Sequence, residues 1–125
     1  MSKSMEIVRN TELLRIYAQR QRVRLDFGEV AVDLLAYVEI ISPDGKIDAI
    51  PDVWECQGNL NALWPLIGRR MTKIVMDDDS FRLTFEDGTL IRCKNRKDYD
   101  FVKVWGPDPK LETEYPTVLH YLSEE

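Results

Sequence analysis

Two stretches of this chain carry the same alternation of side chains, and that repetition restricts the fold more than any other feature. In "SFRLTFEDGTLIRC", residues 80 to 93, Phe81, Leu83 and Phe85 alternate with Arg82 and Thr84, the period of a strand with one buried face. Asp87-Gly88 supplies the turn. A two-residue loop would send Arg92 to the face occupied by Leu83. A three-residue loop of Glu86, Asp87 and Gly88, with Gly in the left-handed position, aligns Phe85 with Thr89, Leu83 with Ile91 and Phe81 with Cys93. The second register is expected because it collects the apolar set. It also sets Arg82 opposite Arg92, a like-charge pair that needs an acidic neighbour from Asp79 or from another strand.

Residues 22 to 34, "RVRLDFGEVAVDL", echo the pattern. Val23, Leu25 and Phe27 alternate with Arg24 and Asp26, and a Gly28-Glu29 turn would face Phe27 to Val30, Leu25 to Val32 and Val23 to Leu34. The outer pair here, Arg24 and Asp33, is complementary. Upstream, "LRIYA" (14 to 18) falls on "TKIVM" (72 to 76); downstream, "YVEIISPDG" (37 to 45) resembles "FVKVWGPDP" (101 to 109) after an insertion near "KNRKD". Strands are expected near 13 to 18, 22 to 27, 30 to 34, 37 to 42, 72 to 76, 80 to 85, 89 to 94 and 100 to 106.

The fold class that follows is mainly β, with an α+β arrangement left open. It is read as two packed antiparallel sheets or a partly open barrel, built from two similar β-meander repeats with one short helix between them. The chain is read as a single domain, 1 to 125, with repeat-like halves at about 13 to 45 and 71 to 109 and a helical connector, 46 to 70. Within the connector, Asp52 and Glu55 could form a capping box, and Val53, Cys56, Leu60, Leu63 and Trp64 roughly share a helical face before Pro65 ends it. After Pro107 and Pro109 the sequence is acidic, and "TVLHYLS" (117 to 123) reads as a further edge strand.

With 22 acidic against 17 basic residues, the formal charge of −5 repels phosphate backbones and favours basic partners. No segment approaches the roughly 20 apolar residues of a membrane span, so the expectation is a cytoplasmic protein with no membrane contact. Cys56 and Cys93 make neither a disulfide framework nor a zinc spacing. His120, the single histidine, has no sequence neighbour that would make it half of a dyad. The six glycines are scattered through turns rather than gathered into a phosphate loop. No catalytic, metal or cofactor residue is therefore expected, and the chain is read as not an enzyme.

Two partner classes remain. The run "MDDDS" (76 to 80) reads as a turn with three carboxylates, Asp77, Asp78 and Asp79, and Glu86 and Asp87 lie at the other end of the intervening strand. Trp105, standing where the other half has Ile41 and just before a Gly-Pro turn, suits an interface anchor. Those six residues are the candidate partner-binding set. The basic clusters "RRMTK" (69 to 73) and "RCKNRK" (92 to 97), followed by Tyr99, Phe101 and Trp105, would instead suit a β-sheet that stacks bases of RNA or single-stranded nucleic acid. The net charge argues against that alternative.

The run "LWPLIGRRMTKIVMDDDSFRLTFEDGTLIRC" followed by "DYDFVKVWGPD" resembles a group of small, uncharacterised bacterial β-rich proteins with a Leu-Ile-Gly segment, a Phe-x-Asp-Gly hairpin and an aromatic strand ending in Gly-Pro. These are similar to the immunity proteins of polymorphic and contact-dependent growth-inhibition toxins. The resemblance covers roughly residues 60 to 109 and brings no catalytic residue with it. It implies inhibition by occupation, in which acidic side chains cover the basic cleft of a toxin domain.

Overall fold

The computed structural model describes residues 4–19, 22–28, 30–35, 37–51, 53, 60–77, 80–94 and 102–105. Among the described residues, ten strands run in chain order: β1 (Ser4–Glu12), β2 (Arg15–Gln19), β3 (Arg22–Asp26), β4 (Ala31–Leu34), β5 (Val38–Ile41), β6 (Ile47–Ile50), β7 (Arg70–Asp77), β8 (Ser80–Phe85), β9 (Leu90–Lys94) and β10 (Val102–Trp105). They form two antiparallel sheets, one of six strands in the order β1-β7-β8-β9-β5-β6 and one of four in the order β10-β4-β3-β2. The fold is mainly β, as the alternation predicts, and the sheets pack face to face without closing into a barrel.

Each meander takes the register that buries its apolar set. Phe81 pairs with Cys93 and Leu83 with Ile91, and the Phe85 N–H donates to the Thr89 carbonyl at 2.9 Å, closing the three-residue loop. Gly88 holds φ +94°, the left-handed conformation that loop demands. In the first half Val23 pairs with Leu34 and Leu25 with Val32, with Gly28 at φ +88° in the shorter turn. Val23, Leu25, Phe27, Val32 and Leu34 from one sheet and Phe81, Leu83, Phe85, Ile91 and Cys93 from the other belong to one buried core. Full burial of such side chains stabilises by about 1.5–3 kcal/mol apiece before the entropy of ordering them is set against it.

The two halves match pair by pair. Ile16 opposite Leu25 and Tyr17 opposite Arg24 correspond to Ile74 opposite Leu83 and Val75 opposite Arg82. The fourth strand of each half then crosses to the other half's sheet. β5 pairs with β9, setting Val38 against Cys93, Glu39 against Arg92 and Ile40 against Ile91. β10 pairs with β4, setting Val102 against Leu34, Lys103 against Asp33 and Val104 against Val32. The exchange is reciprocal in register as well as in partner. It relates the halves by an approximate two-fold, near which Glu12 faces its own counterpart Arg70 and Phe27 packs against its counterpart Phe85.

Strands β1 and β6 are not among those expected from the sequence. β1 lines the outer edge of β7, and β6 folds back on β5 across the turn at Pro43, Asp44 and Gly45. The helical part of the connector consists, among the described residues, of two 3-10 turns at Leu60–Ala62 and Trp64–Leu66. Asp52 and residues 54 to 59, including Cys56, lie outside the described residues. A turn with a three-residue period buries Leu63 and Leu66 and leaves Trp64 39% exposed, so Trp64 departs from the apolar stripe assigned to it. Residues 117 to 123, with their expected edge strand, also lie outside the described residues.

Candidate functional site

The expected like-charge pair in the six-stranded sheet is the most informative polar feature of its outer face. Arg82 and Arg92 stand opposite each other, and the acid comes from the strand donated by the other half. Glu39 Oε1 accepts from Arg92 Nε at 2.8 Å and from Arg92 Nη2 at 2.6 Å. Its Oε2 accepts from the Tyr37 hydroxyl at 3.2 Å. In the four-stranded sheet the equivalent row reads Arg24, Asp33 and Lys103. Asp33 is fully buried and holds Arg24 at 2.6 and 3.0 Å. The Glu39–Arg92 and Asp33–Arg24 ion pairs are structural, since each joins neighbouring strands.

The acidic candidates separate into two places. Asp77 is the last residue of strand β7 rather than part of a turn, because β1 extends alongside and gives it a register partner, Ser4. Asp78 and Asp79, and the side chain of Asp77, lie outside the described residues. Glu86 and Asp87 are at the other end of the six-residue β8, which at about 3.4 Å per residue puts roughly 17 Å between the two ends. One patch therefore does not contain all five. Trp105 ends β10 opposite Ala31, in register with Ile41 of the other half, which pairs with Leu90; its side chain lies outside the described residues.

At the Glu86 end the structure assembles a site from elements far apart in sequence. Asp87 is held by its own turn, with Oδ1 accepting from the Thr89 N–H at 3.0 Å and Oδ2 from the Thr89 hydroxyl at 3.0 Å. Arg69 Nη1 adds a 2.7 Å ion pair to Oδ2. Burial alone would raise the Asp87 carboxyl, but the Thr89 bonds and the Arg69 charge outweigh it and hold the group below the ordinary carboxylate range. Glu86 is exposed, and its N–H donates to the Arg70 carbonyl at 2.8 Å. The β5–β6 turn lies against this loop: a Cβ on Gly88 would be 3.6 Å from Pro43 Cβ. That turn brings exposed Asp44, whose Oδ1 accepts from the Lys46 N–H at 3.1 Å.

Between these turns and the 3-10 segment runs a groove of about 290 Å³, lined among others by Ser42, Pro43, Asp48, Pro65, Arg69 and Asp87. Exposed Trp64 and Ile67 flank its Pro65–Leu66 wall in the chain. Asp44, Asp48, Arg69 and Trp64 are the members of this site that alternation could not single out. The signal for Asp44 was present in Pro43-Asp44-Gly45, but its neighbourhood to Glu86 depends on β5 crossing to β9.

Among the described residues, no group of three or more His, Cys, Asp or Glu is placed to hold a metal ion. Cys93 is fully buried, and burial, reinforced by the charge of Glu39, pushes its thiol up to about 12, so at neutral pH it is a packing residue rather than a nucleophile. Cys56 and His120 lie outside the described residues. No helix among the described residues is long and apolar enough to cross a membrane. No protein-family model, curated protein or solved structure matches the chain.

Proposed function

We propose that the chain is a non-enzymatic binding protein that neutralises a bacterial toxin by occupying a basic surface of it, as its resemblance to immunity proteins implies. The observation that supports this reading is the meeting of two hairpin turns, where Pro43 lies against Gly88, Asp48 and Asp87 line one groove, and Asp44 and Glu86 are exposed on the same two turns, with Arg69 paired to Asp87 among them. Carboxylates on pre-ordered turns need little reorganisation when they meet cationic groups, which favours fast, electrostatically steered association. Exposed Trp64 and Ile67 supply apolar area beside the charge.

The test is recovery of partners with a tagged full-length chain from its native source, at low and high salt. The expected partner is a basic protein whose association weakens with salt, and whose affinity falls at least about tenfold when Asp44 and Glu86 are both changed to Lys. Unchanged affinity in that double variant would remove this end as the contact surface. Affinity for single-stranded RNA that falls steeply with salt, with no protein partner, would support the nucleic-acid reading instead.

A further inference from the structure

Strand pairing joins unlike halves of the chain, and the apolar residues do not account for that choice. Residues 4 to 50 supply β1 to β6, and residues 70 to 105 supply β7 to β10. Val38 lies against Cys93 and Ile40 against Ile91, while Val102 lies against Leu34 and Val104 against Val32. Pairing between like halves of two copies, in the same register, would set Val38 against Leu34 and Ile40 against Val32, or Val102 against Cys93 and Val104 against Ile91. Those pairs are as apolar as the ones observed, and Phe27 would meet a second Phe27 where it now meets Phe85. A second copy of the chain therefore offers each half a rival partner of similar shape.

Charge separates the two assemblies. Among the described register positions, three set charged residues of the two halves opposite each other: Glu39 and Arg92, Lys103 and Asp33, Glu12 and Arg70. Each joins an acid to a base. Like halves in the same register would oppose Glu39 to Asp33 and Glu12 to a second Glu12 in one body, and Lys103 to Arg92 and Arg70 to a second Arg70 in the other. All of these are like-charge pairs, which are unfavourable directly across strands. Asp33 is fully buried and the Glu39 side chain is 12% exposed, so salt would screen their repulsion little. Glu12 and Arg70 are exposed and add less.

We propose that Glu39, Arg92, Asp33, Lys103, Glu12 and Arg70 form a pairing code that joins unlike halves and bars a second copy of this chain from assembling through like halves. The 2.6 Å contact of Arg92 with Glu39 thus selects a partner as well as fastening two strands. The covalent link does not by itself forbid exchange between copies, because residues 51 to 69, fully extended, would reach roughly 60 Å. It holds the halves at an effective concentration of roughly 1 mM, against which a second copy has to compete. The code is independent of the acidic turns.

The test is refolding from urea at about 0.5 mM, near that effective concentration, with equal parts of isotope-labelled and unlabelled full-length chain. Sedimentation velocity reads the dimer. Isotope-filtered NOEs between copies read which strands pair: residue 39 to residue 33 for like halves, residue 39 to residue 92 for plain exchange of unlike halves. Wild type is expected to show no contact of residue 39 with residue 33 of another copy. Glu39→Arg with Arg92→Glu keeps a complementary pair in the monomer and makes both buried like-half pairs complementary too, so like-half dimers should form. Glu39→Arg with Lys103→Glu does the same for the dimer while opposing like charges in the monomer, so its dimer should dissociate at a concentration at least about tenfold lower. The contact between residues 39 and 33 of different copies, present in either variant and absent from wild type, supports the code. Its presence in wild type, or its absence from both variants, overturns the proposal.

Discussion

Phe27 and Phe85 lie with ring centroids 6.3 Å apart and planes tilted by 35°, each the counterpart of the other in the two matched halves. Each is the last apolar residue before a hairpin turn, and each is at most 3% exposed. The contact fastens the two meanders where their turn ends meet. Truncating either ring to Ala is expected to cost about 3–5 kcal/mol in urea unfolding. A double-mutant cycle should leave a coupling of about 1 kcal/mol for the ring pair. Strict additivity would show that the rings are buried independently.

Glu39 makes a like-charge arginine pair tolerable, so its loss should be more damaging than that of an ordinary surface acid. Glu39→Gln is expected to destabilise by about 3 kcal/mol, at the low end for a buried pair because Arg92 is 35% exposed. Combining it with Arg92→Met should recover much of the loss, because the uncompensated cation is then gone. Urea denaturation of the single and double variants measures both.

The lowered Asp87 carboxyl has a definite pH signature. A carboxyl held below its unfolded value of about 3.9 contributes stability that is present above that pH and is lost as pH falls through the folded value. In Asp87→Asn the stability curve should be flatter below about pH 4 and otherwise displaced downward. An unchanged acid limb would mean that the Thr89 and Arg69 contacts do not persist in solution.

Cys93, with its thiol pushed up to about 12, should be inert toward a disulfide reagent at pH 8 in a Cys56→Ser background. Labelling should become rapid in denaturant and follow the unfolding transition. Rapid labelling of the native protein would contradict burial on the inner face of β9.

The eight strands of the two halves, the registers of the two hairpins (β3 with β4 and β8 with β9) and the need for an acid beside Arg82 and Arg92 were legible in the chain. They follow from local alternation and turn chemistry, which a sequence displays directly: Phe81, Leu83 and Phe85 can reach one face only in one register with Ile91 and Cys93. The candidate site was only half legible. Glu86 and Asp87 announce a turn, but nothing local says that Asp87 is already engaged by Thr89 and Arg69, or that Asp77 belongs to a strand.

What the sequence by itself determined is the β meander, used twice, with its buried set and its turns. The tertiary structure alone decided where the fourth strands go. Val38–Ile41 and Val102–Trp105 each carry an apolar face that either sheet could bury, and the choice of the opposite sheet depends on the whole core closing. That choice brings Glu39 to Arg92 and the Pro43–Gly45 turn to Gly88. It also places Asp44 and Glu86 at one end of the molecule, because long-range pairing is set by the packing of two faces rather than by any single stretch of chain.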